Sequence, residues 1–493
     1  METLKRWLPA SPVSRERWCI SILSAIAALH VFVFSAAFPF FNVDEMYHFD
    51  LVVRYSRLDL PRKPEVFSDE AMRYIVIFST WEYTRTNDTL LAPPWKQPIA
   101  AVEPILVSRE LRWRAVNYEV TQPPLYYLLG GACWRLGLAL GFHDGFALYL
   151  LHFSNVLVVA ALVWIAWIAA RLVFPGNYFI RIAVPALMAF MPDRIFYSVN
   201  NDLLSPLCFG AAFIGLLKIL RADIPSKFLA AATGLALAAT FLAKSGNLPL
   251  LAVSGIFVAY KTVVLLRQKK LGASLPSLAW LFFCAVLLPA AWTVWCKIHF
   301  GDFVGSSDVA RELGWTIKPF FQWWHHPIFT PRGFWVFLSG NLETFWQGEM
   351  LWHTRPLFLS PVSLFYTLAS VLLIAAALLC LKRADVFQRR ALLFAFAGLA
   401  AAFAFYGFLS IIYDFHNCFY PSRQSPYFVS GRLILGALVP FLLLFVFGLD
   451  GLLNRLGNPG KFSILALFLL FMLGAEIATN WPVFLSQYNW FDM

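Results

Sequence analysis

Apolar segments about as long as a bilayer is thick recur along the whole chain. A helix needs about 20 predominantly apolar residues to cross a membrane. Eleven segments reach or approach that length: 20–41, 146–170, 180–198, 203–220, 227–243, 247–265, 276–298, 359–381, 391–412, 433–449 and 462–479. Outer-membrane barrels instead alternate apolar and polar residues in strands of about ten residues. The pattern therefore predicts an all-α polytopic membrane protein with eleven transmembrane helices.

The overall composition excludes other classes of protein. Hydrophobic residues make up 60% of the chain and charged residues only 14%, whereas soluble domains contain about 25% charged residues. Disordered chains need low hydrophobicity and high charge, so disorder is also excluded. The net charge of +11 comes mostly from short loops between apolar segments, where it indicates orientation, so we expect no nucleic-acid partner. The seven cysteines form no Cys-x-x-Cys pair and indicate neither a zinc site nor a disulfide framework.

A twelfth segment, residues 123–142, suits either a short transmembrane span or an interfacial helix, and the loop charges decide between them. Cytoplasmic loops collect Lys and Arg. If the N-terminus is cytoplasmic and 123–142 does not cross, every short basic loop is cytoplasmic: 171–181, 218–227, 267–270, 382–390 and 455–461. If 123–142 did cross, all of them would lie outside. We therefore interpret it as a juxtamembrane helix on the outer leaflet.

This topology places the large polar loops on the outer side, at 42–145, 299–358 and 414–432. We therefore expect the function at the outer face. Three parts are predicted: a catalytic transmembrane module at 1–300 that includes loop 42–145, an aromatic-rich outer loop at 301–358, and C-terminal helices at 359–493 with loop 414–432. The aromatic residues of the second loop suit an interfacial belt, with a lid over a cavity as the alternative.

Acidic residues cluster at the predicted outer ends of the helices. Asp44 and Glu45 follow the first span, Glu119 precedes the juxtamembrane helix, and Asp202 lies between the third and fourth spans. Each has a structural alternative, because acidic residues pin helix ends in water and Asn-Asn-Asp is a good N-cap. Few ionisable residues lie inside the spans, His30 and His152 being the main ones. Ion-coupled transporters usually place carboxylates there.

Two cations approach the same outer rim, Lys244 at the end of the fifth span and Arg432 at the start of the tenth. Either could merely extend to lipid headgroups. Acids and bases from several helix ends could instead form one polar cavity at the bilayer boundary. Arg binds phosphate oxygens bidentately and a carboxylate can act as a general base, so the cavity would suit an amphiphilic substrate with a phosphate head.

These residues, in this order, resemble the GT-C superfamily of membrane glycosyltransferases. The nearer relatives are the branch of protein O-mannosyltransferases and lipid A aminoarabinose transferases, with related uncharacterised bacterial proteins. Four features carry the resemblance: Asp44-Glu45 after span one, Tyr118-Glu119 with Gln122-Pro123-Pro124-Leu125-Tyr126-Tyr127, Asn200-Asn201-Asp202 in the second outer turn, and Gly431-Arg432 at a late helix start.

The resemblance implies a GT-C fold and an inverting transfer of a sugar from a polyprenyl-phosphate donor to a hydroxyl of a glycan, lipid or protein. Asp44 would be the general base. Donor and substrate contacts would come from seven residues: Glu45, Glu119, Gln122, Tyr126, Asp202, Lys244 and Arg432. No cofactor would be required, although a divalent metal could bind where carboxylates converge.

The resemblance also implies a setting, a bacterial inner membrane with the site on the periplasmic face. Three alternatives stay open at this point. The protein could be a lipid or polysaccharide transporter, a ligase that uses a lipid diphosphate, or a non-catalytic membrane scaffold. A transporter predicts ionisable residues in mid-membrane, and a scaffold predicts that replacing Asp44 has no effect.

Overall fold

The computed structural model describes residues 12–80, 92–113 and 116–492. Parts of two predicted regions, the basic N-terminal segment and the first outer loop, lie outside these ranges. The helices are α1 (Pro12–Ala37), α2 (Glu45–Ser56), α3 (Asp69–Phe78), α4 (Ile99–Trp113), α5 (Leu125–Ala139), α6 (Asp144–Val173), α7 (Tyr178–Ala189), α8 (Leu204–Arg221), α9 (Lys227–Ala243), α10 (Leu248–Arg267), α11 (Leu271–His299), α12 (Ser306–Glu312), α13 (Pro331–Gln347), α14 (Ser360–Cys380), α15 (Val386–Ile412), α16 (Leu438–Leu452) and α17 (Asn458–Phe484).

Short strands and 3-10 turns complete the described structure. Three antiparallel pairs of two-residue strands form: β1 (Glu65–Val66) with β2 (Val116–Asn117), β3 (Thr316–Ile317) with β6 (Tyr413–Asp414), and β4 (Leu351–Trp352) with β5 (Arg355–Pro356). The 3-10 turns are Pro94–Lys96, Tyr118–Thr121, Arg194–Tyr197, Asn201–Leu203, Ser245–Asn247, Phe320–His325, Pro327–Phe329, Leu381–Arg383, Gly431–Ala437 and Trp490–Asp492.

The predicted all-α membrane architecture is confirmed. Within the described ranges, nine helices are long and apolar enough to cross a membrane, namely α1, α6, α8, α10, α11 and α14–α17, and the shorter apolar helices α7 and α9 coincide with two further predicted spans. The most buried are α8 and α16, which form the core, whereas α11 and α17 keep most of their surface outward. Eleven apolar helices thus match the eleven predicted segments.

The predicted span 180–198 is shorter than expected. Helix α7 ends at Ala189, and the chain continues through an irregular stretch into the 3-10 turn Arg194–Tyr197. The side chain of Asp193 accepts a hydrogen bond from the backbone N–H of Ile195 at 3.0 Å, so it caps this turn locally. The apolar sequence was continuous, but these polar residues form a buried loop instead of a further helical turn.

The predicted cytoplasmic loops meet at one end of the bundle. Arg181 in the first turn of α7 lies 3.2 Å from Glu16, which joins the start of α7 to the start of α1. Asn177, which caps α7, donates a hydrogen bond to Asp450 at 2.8 Å, which joins the start of α7 to the end of α16. These contacts require the ends of α1, α7 and α16 to share one side, as the charge pattern predicts.

Helix α5 stays on the opposite end of the bundle and does not cross it. Gly131 lies against the backbone of Tyr55 and Ser56 in α2, where a Cβ atom would come within 2.7 Å. After α5, helix α6 starts on the same side, because His152 in its third turn contacts Glu45 at 2.5 Å just after α1 ends. A crossing α5 would place the start of α6 on the other side. The interpretation of 123–142 as a non-spanning helix is therefore confirmed.

One prediction about the helix interiors was wrong. Glu476 in α17 is a buried carboxylate within the predicted span 462–479, where the sequence analysis named only His30 and His152 as the main ionisable groups of the spans. It lies 2.7 Å from Nε2 of His30 in α1 and accepts a hydrogen bond from Tyr197 at 2.5 Å. The three groups satisfy one another, so an otherwise lipid-exposed last helix is fixed to the core through a polar contact.

Candidate active site

Asp44 lies at the junction between α1 and the juxtamembrane helix α2. Its backbone is left-handed, with φ of 55°, and its side chain makes no capping hydrogen bond. This conformation is unfavourable for most residues but is tolerated by Asp. It turns the carboxylate away from the helix end, where Oδ2 forms an ion pair with Arg432. The hydroxyl of Tyr118 donates a hydrogen bond to Oδ1 at 3.3 Å.

Arg432 is the centre of a group of charged side chains that we call the cluster. Its members are Asp44, Glu119, Asp202, Lys244, Glu349 and Arg432. The preceding Gly431 packs so closely on α13 that a Cβ atom would lie 2.0 Å from the backbone nitrogen of Phe345, so only glycine fits. Besides Asp44, the guanidinium lies 3.5 Å from Glu349 and 4.0 Å from Asp202. One cation thus contacts carboxylates from three separate segments of the chain.

Asp202 and Lys244 form the second ion pair. The expected N-cap role belongs to Asn200, whose side chain accepts the backbone N–H of Asp202 at 2.9 Å. The carboxylate of Asp202 is therefore left to meet Lys244, where α9 ends. The side chain of Asp202 is only 1% exposed and that of Lys244 is 10% exposed, so both charges are largely removed from water.

Glu349 was not among the predicted site residues. It follows α13 directly after Gly348, which has φ of 67°, and it lies beside Arg432 in the cluster. The second outer loop contains several acidic residues, and the sequence offers only a weak indication of which one faces the site. That indication is the glycine before it, because glycine readily takes the left-handed conformation that turns the chain at this point.

Glu119 and Gln122 lie beside the two ion pairs. The 3-10 turn that carries Glu119 begins at Asn117, whose side chain accepts the backbone N–H of Glu119 at 3.0 Å. Gln122 hydrogen-bonds the carboxylate of Glu119 and accepts a hydrogen bond from Asn201 at 3.2 Å. Burial, with the negative charge of Asp44, raises the pKa of Glu119 to about 7.

The remaining carboxylates of the cluster differ in their pKa. Burial alone would raise the pKa of Asp44, but the charge and hydrogen bond of Arg432 hold it below its usual value. Burial raises the pKa of Glu349 above its usual value although Arg432 and Ser430 oppose the shift. Asp44 is therefore a carboxylate at neutral pH, while Glu119 and Glu349 take up protons more readily.

His48 is a neighbour of the site that sequence reasoning did not select. It lies one turn after Asp44 on α2, is 2% exposed, and its Nδ1 lies 2.8 Å from the hydroxyl of Tyr127. Burial lowers the pKa of His48 to about 3, and the cations Arg432 and Lys244 act in the same direction. The imidazole is therefore neutral at physiological pH.

Two predicted contacts with the donor lie outside the cluster. Glu45 is 1% exposed, and its carboxylate accepts the backbone N–H of Val199 at 2.8 Å and that of Asn42 at 3.1 Å in addition to the contact with His152. Tyr126 is buried and hydrogen-bonds the backbone of Asn200. These hydrogen bonds give both residues a structural role, and their predicted contact with the sugar donor stays a prediction.

Arg194 connects the outer turn to two later segments. Its guanidinium donates to the backbone oxygen of Gln347 at 2.8 Å and to the side chain of Asn480 at 3.1 Å. It is buried and contributes no open cationic group to the cluster. Its contacts fix the end of α13, and so the position of Glu349, relative to the core.

An open groove of about 1330 Å³ lies in the first outer loop, between α2, α3 and the start of α6. Three aromatic rings in mutual contact separate it from the ion pairs. Phe67 lines the groove and lies 5.3 Å from the ring of Tyr47, which lies 4.5 Å from the ring of Tyr118. Tyr118 in turn contacts Asp44, so the groove is adjacent to the cluster but does not contain it.

The arrangement of the carboxylates in the cluster determines whether they could hold a metal ion. Within the described residues, no three His, Cys, Asp or Glu side chains are arranged so that they could hold a metal ion. The carboxylates of Asp44 and Asp202 are instead paired with Arg432 and Lys244. The side chains as arranged do not provide a divalent-metal site, and whether transfer requires a metal stays a prediction.

Comparison with known proteins identifies no family. No family model matches the chain, and no curated protein matches it significantly. Among solved structures, it is similar to the archaeal oligosaccharyltransferase AglB from Archaeoglobus fulgidus in complex with an inhibitory peptide and a dolichol-phosphate, with a TM-score of 0.44, 13% identity, and coverage of 95% of this chain and 56% of that one.

A second similar structure is the Archaeoglobus fulgidus oligosaccharyltransferase in complex with Zn and sulfate, with a TM-score of 0.38, 12% identity, and coverage of 94% of this chain and 52% of that one. The chain therefore spans about half the length of the solved structures it matches. At these scores the likeness supports no statement about activity, which has to come from the residues of the site.

Proposed function

We propose that the protein is an inverting glycosyltransferase that moves a sugar from a polyprenyl-phosphate donor to an acceptor hydroxyl. The observation that carries the proposal is the Asp44–Arg432 ion pair beside the Asp202–Lys244 pair. Four distant segments of a membrane protein supply a base and two cations at one end of the bundle. The resemblance to GT-C glycosyltransferases, stated from the sequence, assigns the same residues to a lipid-linked sugar donor.

The reaction needs little from the protein beyond one base and a phosphate site. Asp44 takes the proton of the acceptor hydroxyl, and the acceptor oxygen forms a bond to the anomeric carbon. The bond from that carbon to the phosphate oxygen breaks with inversion, and its electron pair stays on the polyprenyl phosphate. Arg432 and Lys244 stabilise the negative charge on the phosphate. A phosphate leaves as an anion, so no second acid is required.

The ion pair also determines when Asp44 becomes an effective base. Without donor, Arg432 lowers the pKa of Asp44, which makes the carboxylate a weak base. A donor phosphate that binds Arg432 through two hydrogen bonds competes with Asp44 for the guanidinium. Asp44 then loses the partner that lowers its pKa as the anomeric carbon arrives. Donor binding thereby precedes activation of the acceptor.

The setting that we propose is a bacterial inner membrane, with the cluster facing the periplasm. The basic loops predict a cytoplasmic N-terminus, and the cluster lies at the end of the bundle opposite those loops. Residues 1–300 provide Asp44, Asp202 and Lys244, whereas Glu349 and Arg432 come from the later parts. In this proposal the catalytic unit therefore includes the C-terminal helices.

The test is sugar transfer by the purified protein in proteoliposomes with a panel of polyprenyl-phosphate sugars. Asp44→Asn should abolish transfer and leave the thermal unfolding temperature close to that of the wild type. Asp223→Asn is the matched control, because Asp223 is an exposed acid of a predicted cytoplasmic loop that pairs with Lys270. Full turnover by Asp44→Asn would refute the proposal.

A transporter is the second candidate, because the structure contains a feature that this class predicts. His30 and Glu476 form an ionisable pair among the helices. Both groups are satisfied by each other and by Tyr197, which favours a fixed contact over a path for ions. Movement of a labelled lipid across the vesicle bilayer without sugar transfer would favour the transporter. Comparison of monophosphate and diphosphate donors tests the ligase alternative in the same vesicles.

A further inference from the structure

Six large aromatic side chains of the second outer loop point away from the protein. They lie in one continuous stretch, which we call the aromatic segment, residues 320–335. Their exposed fractions range from 41% to 67%. The six are Phe320, Phe321, Trp324, Phe329, Phe334 and Trp335. Exposed apolar faces of this kind mark sites of interaction with another protein or with a membrane.

The exposed face continues the surface of a transmembrane helix. The segment follows β3, which pairs with β6 at the outer end of α15. Trp323 packs edge-on against Phe408 of α15 with ring centroids 5.7 Å apart. Phe408 is itself 46% exposed and lies about one turn before the outer end of a predicted span. The aromatic face therefore adjoins a surface that lipid already covers.

The polar side of the segment is attached to the protein. His326 is 4% exposed, and its Nε2 lies 3.0 Å from the backbone oxygen of Pro426. The hydroxyl of Thr330 caps α13 by accepting the backbone N–H of Gly333 at 3.0 Å. Gly333 packs so tightly on Pro327 that a Cβ atom would lie 1.9 Å from its backbone oxygen. The segment is held in this orientation, and its rings cannot turn inward without breaking these contacts.

The composition of the exposed face selects the kind of partner. Aromatic rings are enriched at the boundary between lipid and water, and monotopic segments place apolar side chains there with polar residues beside them. Gln322, His325 and Arg332 accompany the rings and are exposed, which suits the headgroup region better than the hydrocarbon core. A binding surface for another protein would not need to continue the lipid-facing surface of α15.

We propose that the aromatic segment is a membrane anchor that lies in the interface of the outer leaflet, with the lipid bilayer as its partner. Helix α13 begins within the segment and ends at Gln347, two residues before Glu349. The anchor thereby sets the depth of Glu349 and its contact with Arg432 relative to the lipid headgroups. A lid that moves freely in water over the cavity would not fit this arrangement.

Fluorophore labelling in proteoliposomes measures the depth directly. Single cysteines replace Phe321 and Phe329 in the full-length chain after its native cysteines are replaced, and an environment-sensitive fluorophore is attached. Lipids with a spin label near the headgroup should quench both sites at least several-fold more than a water-soluble quencher does. Lys63→Cys in the outer groove is the aqueous control, and Leu287→Cys within α11 is the deep control.

Two outcomes would overturn the anchor. Labels at Phe321 and Phe329 that respond like Lys63→Cys would place the segment in water, and labels shielded from both quenchers would indicate a protein partner. Trp324→Phe in the chain with its native cysteines gives a second measurement, because it should reduce the quenching of intrinsic fluorescence by lipids brominated near the headgroup. Neither readout uses sugar transfer, so a negative result leaves the proposed function standing.

Discussion

Replacing Arg432 with Gln tests the central ion pair and the phosphate site together. The side chain is 14% exposed and contacts Asp44, Glu349 and Asp202. Gln removes the positive charge and the planar fork and leaves a shorter, uncharged polar side chain. Two consequences follow, a weaker contact with the donor phosphate and a higher pKa of Asp44.

The size of the first effect follows from the loss of hydrogen bonds to a charged group. Such hydrogen bonds contribute about 1.5–3 kcal/mol, which corresponds to roughly a 10- to 150-fold loss in kcat/KM at about 1.4 kcal/mol per factor of ten. The lower part of this range is expected, because Asp44 is 25% exposed and water partly screens the charges. Arg432→Lys keeps the charge but not the bidentate geometry, so its loss should be smaller.

The second effect has a definite sign. Arg432 lowers the pKa of Asp44, so removing the cation raises this pKa, and Asp44 becomes protonated at a higher pH. A protonated base cannot accept the acceptor proton. The ratio of variant to wild-type kcat/KM should therefore fall as the pH is lowered from 8 toward 5, and the acid limb of the variant's profile should move toward neutrality.

The assay measures initial rates against donor concentration across this pH range in proteoliposomes. Arg423→Gln is the matched control, because Arg423 is an exposed arginine in the same outer loop that pairs with Asp414. Donor KM and pH profile unchanged in Arg432→Gln would refute the phosphate role and the coupling to Asp44. An acid limb that stays at its wild-type position while KM rises would refute only the coupling.

Three further substitutions test neighbouring contacts. Glu119 acquires its negative charge as the pH rises through about 7, so donor KM should rise above that pH in the wild type and stay level in Glu119→Gln. Lys244→Met removes the nearer of the two cations beside the buried carboxylate of Asp202, so it should destabilise the protein by about 3 kcal/mol, the lower end for a broken buried pair. Lys244→Met combined with Asp202→Asn should recover thermal stability but not transfer. Glu476→Ala removes two contacts between helices and should cost about 1–3 kcal/mol in detergent unfolding, with transfer retained below the unfolding temperature.

The membrane architecture could be predicted from the sequence because bilayer thickness fixes the length of a span. The eleven apolar segments correspond to eleven helices, and loop charge alone distinguished α5 from a transmembrane helix. The error at 180–198 has a local cause. Hydropathy does not distinguish a helical turn from a buried loop whose polar groups, such as Asp193, bond the backbone.

The candidate site could be predicted only in part. Asp44 and Arg432 are far apart in sequence, and their position at the same predicted end of the bundle suggested a shared cavity, but no pattern in the chain predicted that these two side chains form a pair. Glu349 lacks a local pattern beyond its glycine neighbour, and Glu476 lies in an apolar segment where a single acid does not interrupt the hydropathy. The partners of buried polar groups are determined by tertiary contacts, and the hydrophobic periodicity of a sequence indicates only its secondary structure.

The charge balance of the site explains why these carboxylates differ. Asp44, Asp202, Glu119 and Glu349 surround only two cations, and an anionic phosphate would add to the surplus of negative charge. The surplus is reduced where burial raises the pKa of Glu119 and Glu349, because protonated carboxyl groups can donate hydrogen bonds to phosphate oxygens. Arg432 holds the pKa of Asp44 below its usual value, so Asp44 stays a carboxylate in the resting site. In the proposed mechanism the same cation then turns to the phosphate during transfer, so one contact serves both roles.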